Sequence, residues 1–332
     1  MAKPKVFVTR VIPEVGLKMV MERCEVEVWP EETPPPYEVI LQKVKGCDGL
    51  LSLLTDRVDA RLMDEEPRLR VISQFAVGYD NIDIRAATER GIPVGHTPGV
   101  LTDTTADLAF ALLMAVARRV VEGVDYVRAG KWKTWGPTLL LGQDVHHATL
   151  GLIGFGRIGQ GMARRASGFD MRVLYYDIRR REDLEQSMGV IYADLDTLLR
   201  ESDFVSIHTD LNPQTRHMIN DEAFAKMKPS AILINSARGP IVDHEALYRA
   251  LRDGKIAGAG LDVTEPEPLP PDSPLLSLPN CVVVPHIASA SVKTRGKMAE
   301  MAAINLIAGL QGERLPHCAN PEVYAQGQLR GR

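Results

Sequence analysis

Short runs of apolar and β-branched residues recur along the chain, separated by polar stretches of amphipathic spacing. KVFVTR, EVEVW, GLLSLL, RVISQFA and IPVGHT occupy the first hundred residues. ATLGLIG, MRVLYYD, DFVSIHT, AILINSA, AGAGLDV and CVVVPH form a second series further on. Strand-like runs alternating with helical patterns are the rhythm of a parallel sheet, so two α/β units in tandem are predicted.

A helix is predicted between the two series, after residue 101. Its centre, ADLAFALLMAVA from Ala106 to Ala117, is apolar on nearly every face. Such a helix is expected to be covered on nearly every side, which points to a position between domains or between subunits. It is too short to cross a bilayer. The last periodic stretch, SVKTRGKMAEMAAINLIAGLQG, reads as a helix stopped at Gly312 and able to return to the first unit.

With 332 residues the chain exceeds what one core usually holds, which supports two domains. A formal charge of −4, with signs interspersed, offers no basic field for nucleic acid. The one dense basic triplet, Arg179 to Arg181, is answered at once by Glu182 and Asp183. Cys24, Cys47, Cys281 and Cys318 lack C-x-x-C spacing, and His146 and His147 are adjacent rather than spaced for ligation, so neither a disulfide framework nor a metal site is expected. The N-terminus runs into a strand without an apolar leader, and a cytoplasmic location with no membrane association is the expectation.

Gly154, Gly156 and Gly159 form G-x-G-x-x-G between an apolar run and a helical one. In that context the first glycine allows a tight turn, the second lets a pyrophosphate approach the backbone, and the third lets helix and strand pack closely. Asp177 ends the next strand, 177 − 154 = 23 positions after the first glycine, and is suited to a ribose 2′-hydroxyl. A carboxylate there would repel a 2′-phosphate, so NAD, as NADH, is favoured over NADP. Arg179 to Arg181 keep NADP open as an alternative.

Ligands collect beyond the carboxyl ends of parallel strands, where the second series places Asp177, His208, Arg238, Asp262 and His286. Reducing a carbonyl with a nicotinamide leaves an alkoxide that needs a proton donor, and histidine suits that task. His286 follows a strand. Glu267, 19 positions earlier in a proline-stiffened loop, is a candidate to hold its ring and favour its protonated form. Arg238 offers a planar fork that matches the carboxylate of a 2-oxo acid. Taken singly, each has a plainer reading: a loop histidine, a solvated charge and a surface ion pair. Leu53 and Trp135 are further candidates to line a pocket.

GFGRIGQ, NSARGPIVD, GLDVTEPEPLP and PHIASAS, in this order and spacing, resemble the D-isomer-specific 2-hydroxyacid dehydrogenases over essentially the whole chain. Within that family the sequence looks most like the glyoxylate/hydroxypyruvate reductases. The resemblance implies two Rossmann/flavodoxin-like parallel-sheet domains: a discontinuous substrate domain of residues 1–100 and 285–332, and an NAD-binding domain of residues 101–284.

It further implies NAD(P)H-dependent reduction of glyoxylate or hydroxypyruvate by hydride transfer, with His286 as proton donor, Glu267 as its partner and Arg238 on the substrate. Val77 and Gly78 would hold the substrate carboxylate through backbone N–H groups, with Leu53 and Ser289 beside it. Phe155, Arg157 and Ile158, with Thr105, Asp177, His208, Ala237, Asp262, His286 and Ala288, would contact the cofactor. A homodimer through the helix after residue 101 is also implied.

The alternatives are other members of the family, acting on D-lactate, 2-ketogluconate or phosphoglycerate, and a non-enzymatic NAD(H)-sensing corepressor. Position 77 is valine where the related phosphite dehydrogenases carry lysine, which speaks against phosphite.

Overall fold

The computed structural model describes residues 2–325 and 329–331. The chain gathers into two compact units, Met1–Leu101 with Ala290–Arg332, and Thr102–Ser289.

The first unit is built on five parallel strands: β1 (Lys5–Val8), β2 (Glu25–Val28), β3 (Gly49–Ser52), β4 (Val71–Gln74) and β5 (Val94–Gly95), in the order β2-β1-β3-β4-β5. Every residue of β3 and β4 is buried, as in a sheet covered on both faces, whereas the edge strand β2 alternates exposed with half-buried positions. The helix Val292–Gln311 packs on this unit. Ser291 caps its start by accepting from the Thr294 N–H, and Gly312 ends it at φ 76°. Gly16, in the helix Glu14–Arg23, permits very close packing, because a Cβ there would lie 2.4 Å from the Ala299 carbonyl oxygen.

The second unit holds seven parallel strands: β6 (Thr149–Ile153), β7 (Arg172–Tyr176), β8 (Val190–Tyr192), β9 (Phe204–Ile207), β10 (Ile232–Asn235), β11 (Gly258–Leu261) and β12 (Cys281–Val283). Their order is β12-β11-β10-β9-β6-β7-β8. The chain steps from β6 outward to β8, then resumes at β9 on the other side of β6. That reversal creates a switch point between the carboxyl ends of β6 and β9. Strand β8 escaped the sequence reading.

The two units divide at 289/290, and Asp262, just past β11, accepts from the N–H groups of residues 286–288 through its carbonyl and carboxylate. The helix after residue 101 spans Thr102–Ala117. Eight of its residues are buried, facing β10, β11 and the helix Arg157–Ser167, while Asp103, Asp107 and Ala111 are exposed. Arg164 and Arg165 answer the two aspartates with ion pairs, so one broad apolar face suffices. Gly258 and Gly260 of β11 make room for it: a Cβ on Gly258 would lie 2.6 Å from Val116 Cγ1.

Candidate active site

The chain leaves β6 through a turn that two of its three glycines are required to make. Gly154 sits at φ 93°, and a Cβ there would lie 2.6 Å from the His208 carbonyl. A Cβ on Gly159 would lie 2.3 Å from the Gly154 carbonyl oxygen. Gly156 is different. Its φ is −72° and a Cβ would meet no atom within 4 Å, so nothing in the protein itself demands glycine there.

The open space beside Gly156 fronts the helix Arg157–Ser167, which has no side-chain cap and no acidic residue in its first turn. An uncapped helix start beside unfilled space is the cradle that a phosphate group fits. Arg157 and Ile158 lie in that first turn. Phe155 is buried and stacks on Tyr175, ring centroids 4.3 Å apart, which fixes the turn from below. The residues present therefore fit a dinucleotide.

Asp177, one residue past β7, accepts from the Phe155 N–H at 2.7 Å and from the Arg179 N–H at 3.0 Å. Each oxygen retains acceptor capacity for a ribose hydroxyl. Arg180 grips Glu185 with two bonds of 2.8 Å, and Arg181 grips Asp183 likewise, so two of the three arginines are already engaged. His208, at the end of β9, backs the turn through its carbonyl, and its Nε2 lies 2.8 Å from Ser206 Oγ. Burial pushes the His208 imidazole down to about 3, which keeps the ring neutral. Thr105 is buried near the start of the helix Thr102–Ala117.

Past β10 the backbone is held by Asn235, a fully buried residue. Its side chain accepts from the Ala237 N–H at 3.0 Å and donates to the Arg238 carbonyl at 2.9 Å. Arg238 follows, half-buried, with Nη1 bonded to the Ala237 carbonyl at 2.8 Å. Gly239 then presses on the neighbouring loop: a Cβ there would lie 1.9 Å from the Thr264 carbonyl oxygen. Neither Asn235 nor Gly239 stands out as a functional residue in the sequence alone. An asparagine two residues before a turn amide is a known bracing pattern, and was the available signal.

Past β11 the carboxylate of Asp262 is almost fully buried and accepts from the N–H groups of Ile287 at 2.6 Å and Ala288 at 3.0 Å. Burial raises its carboxyl above the ordinary range, against the pull of those two bonds and the His286 charge. Asp262 thus anchors the segment that carries His286, Ala288 and Ser289. His286 itself adopts φ 51°, a left-handed conformation uncommon for a side-chain-bearing residue.

The His286 ring reaches Glu267, its Nδ1 lying 2.6 Å from Oε1. The second oxygen of Glu267 accepts from the Thr264 N–H at 3.3 Å. Burial alone would raise the Glu267 carboxyl; the hydrogen bond and charge of His286, the Thr264 N–H and the charge of Arg238 outweigh it and hold the carboxyl below its ordinary value. An ionised carboxylate only accepts, so Nδ1 carries the proton and Nε2 is turned to the other side of the ring. The three residues singled out from sequence are brought together in one unit, with Arg238 acting electrostatically on the carboxylate that holds His286.

Leu53, Val77 and Gly78 belong to the first unit. The Leu53 carbonyl accepts from the Asn81 side chain, and the Gly78 carbonyl from Gln74 Nε2. Gln74 is fully buried and bonds Asn81 Oδ1 at 2.7 Å and Ser52 Oγ at 2.7 Å, so one polar network fixes both segments. His96 Nδ1 lies 3.0 Å from the Val77 carbonyl oxygen. Among the described residues no three His, Cys, Asp or Glu side chains gather as a metal site, and no helix is long and apolar enough to cross a membrane.

Residues 110–288 match the model of the D-isomer specific 2-hydroxyacid dehydrogenase NAD binding domain. The chain is 59% identical to a glyoxylate reductase of Korarchaeum cryptofilum, covering 97% of each, and 52% identical to one of Thermococcus litoralis over 97% and 98%. Its fold superposes on the TT0316 protein of Thermus thermophilus with TM-score 0.91 at 50% identity, covering 95% and 99%. It also superposes on an NADPH-dependent glyoxylate/hydroxypyruvate reductase of Sinorhizobium meliloti in complex with NADP and malonate, with TM-score 0.84 at 31% identity, covering 100% and 99%. A family match over more than half the chain and near-complete coverage of similar proteins lead to one conclusion: this protein belongs to the D-isomer specific 2-hydroxyacid dehydrogenases.

Proposed function

We propose that this protein reduces glyoxylate to glycolate, and hydroxypyruvate to D-glycerate, at the expense of NADH. The observation that carries the reading is the 2.6 Å pairing of His286 Nδ1 with Glu267, with the charge of Arg238 acting on the same carboxylate. The relatives named as glyoxylate reductases, 51% to 59% identical over nearly the full chain, support the substrate class.

In this reading Arg238 pairs with the carboxylate and carbonyl oxygen of the 2-oxo acid through its planar fork, which orients and polarises the carbonyl. His286 delivers a proton from Nε2 to the carbonyl oxygen as it gains negative charge. Glu267 holds the ring in that orientation for the transfer. Ser289 bounds the substrate on the side of the second unit.

The nicotinamide, when bound, supplies the hydride. Gly154, Phe155, Gly156, Arg157, Ile158 and Gly159 hold its pyrophosphate, Asp177 its ribose, and Thr105, His208, Ala237, Asp262 and Ala288 complete the contacts. Preference for NADH over NADPH rests on the Asp177 carboxylate.

The reading extends to a homodimer. The helix Val120–Arg128 has no buried residue, and Val120, Val121, Val124 and Val127 are exposed along it, followed by Trp132 and Trp135. A second copy covering this face would remove a large apolar surface from water. The four cysteines are unpaired, in keeping with a cytoplasmic reaction.

The test is the loss of NADH absorbance with purified protein against glyoxylate, hydroxypyruvate, pyruvate, 2-ketogluconate and phosphohydroxypyruvate. Fastest turnover with the first two is expected. Absence of oxidation with every 2-oxo acid, despite NADH binding, would replace the enzyme by a cofactor-sensing protein.

A further inference from the structure

The loop that presents Glu267 carries a second glutamate two positions earlier, and that residue has an imidazole of its own. Glu265 Oε2 lies 2.7 Å from His217 Nε2, and its other oxygen is taken by Arg216. His217, like His286, adopts φ 51°. The loop is therefore held from two sides: Glu265 by the segment that follows β9, and Glu267 by the segment that follows β12.

The Arg216–His217 segment is itself fixed to the turn behind Arg238. The His217 N–H donates to the Pro240 carbonyl at 2.8 Å, and the Ile219 N–H to the Ile241 carbonyl at 3.2 Å. Gly239 packs directly on Thr264, and the Glu265 N–H lies 3.3 Å from His244 Nδ1. Thr264 Oγ1 closes the loop on itself through the Pro266 carbonyl at 2.7 Å. Arg238 and Glu267 thus stand on two neighbouring loops, and the Glu265 carboxylate, held by Arg216 and His217, adds a side-chain link between them.

We propose that Glu265 is a positioning residue for the reaction: its grip by Arg216 and His217 sets the placement of Glu267, and through it of the His286 ring. This rests on the reading of Glu267 and His286 given above. Exposed ion pairs contribute little to stability, so the effect is expected in turnover rather than in folding. Misplacing a catalytic group by about 1 Å costs up to about 100-fold, and a loosened loop that still samples the correct position should cost about tenfold.

Glu265→Ala should lower kcat about tenfold, while KM for glyoxylate and the NADH dissociation constant, read by fluorescence titration, each stay within about twofold. Glu265→Gln, which retains an accepting oxygen, should recover most of the loss. In a Glu267→Ala background, Glu265→Ala should cost less than about twofold more, because residues acting through one another are not additive. Should Glu265→Ala fail to fold, Arg216→Ala and His217→Ala, both well-exposed side chains, serve instead and should each lower kcat in the same direction.

Wild-type kcat in Glu265→Ala, or fully multiplicative losses in the double variant, would overturn the proposal. So would an NADH affinity that falls in step with kcat. Glu267→Ala and His286→Ala are the controls: if they keep wild-type turnover, the reading of the site itself fails, whereas if they lose it and Glu265→Ala does not, only the positioning role does.

Discussion

His286 and Glu267, 19 positions apart in sequence, meet at 2.6 Å between Nδ1 and Oε1, and the histidine reaches that pairing from a left-handed backbone conformation. A non-glycine residue in that region costs of order 1–2 kcal/mol and persists only where its surroundings enforce it. Asp262 supplies the enforcement, through its bonds to the next two N–H groups and through its own carbonyl, which accepts from the His286 N–H at 3.0 Å.

Glu267 makes stability depend on acid in a predictable direction. Its carboxyl lies below the ordinary range in the folded protein. A depressed carboxyl stabilises the native state above its unfolded pKa, about 4.3, and that contribution is lost as pH falls through the folded value. Between about pH 6 and pH 3, the wild type should therefore lose more Tm than Glu267→Gln, whose amide does not titrate. Thermal unfolding followed by circular dichroism at each pH is the measurement, and parallel curves for the two proteins would contradict it.

Arg238→Lys keeps the charge and removes the fork. A point charge cannot make two parallel bonds to a carboxylate, so kcat/KM for glyoxylate should fall by about 10- to 100-fold, the equivalent of losing one charge-assisted bond. The NADH dissociation constant should not change. Steady-state kinetics beside a fluorescence titration separate the two quantities; equal losses in both would remove Arg238 from the substrate's side.

The glycine turn separates what the fold requires from what a ligand requires. Gly156→Ala places its Cβ in open space at an ordinary φ and should leave Tm of the cofactor-free protein within about 2 °C, while weakening NADH binding about tenfold or more. Gly159→Ala drives a Cβ against the Gly154 carbonyl and should cost about 1–3 kcal/mol of stability as well. If Gly156→Ala bound NADH normally, the pyrophosphate would have to lie elsewhere.

Asp177→Ala removes the charge opposed to a 2′-phosphate and also frees the N–H groups of Phe155 and Arg179. The ratio of NADPH to NADH in kcat/KM should rise by about 10-fold or more, mostly through a loss with NADH. Arg180 and Arg181 can join a phosphate only by leaving Glu185 and Asp183, which limits the gain. An unchanged ratio would show that this carboxylate does not discriminate.

The alternation of apolar runs and helical stretches was enough to place eleven of the twelve strands found among the described residues and to divide them into two series, because buried parallel strands write themselves as continuous apolar runs. The remaining one, β8, the three-residue edge strand VIY, was not read. The helix Thr102–Ala117 was read from its apolarity as lying between domains or subunits; within the chain eight of its residues are buried, and Asp103 and Asp107 pair with arginines of a neighbouring helix.

The candidate site was legible wherever chemistry is written in residue type and local spacing: the glycine turn, Asp177 after its strand, Arg238, Glu267 and His286 after theirs. Its supports were not. Asn235 bracing Arg238, Gly239 against Thr264, Asp262 holding the His286 segment, and Gln74 joining the Leu53 and Gly78 segments all depend on how the loops are placed against one another.

What the sequence determined by itself is therefore the inventory of most strands, the glycine turn and the candidate side chains, since each depends on neighbours a few positions away. What only the tertiary structure decided is which of those side chains face one another and at what angle. That follows from strand order and loop-to-loop hydrogen bonds, which join positions the chain keeps tens of residues apart.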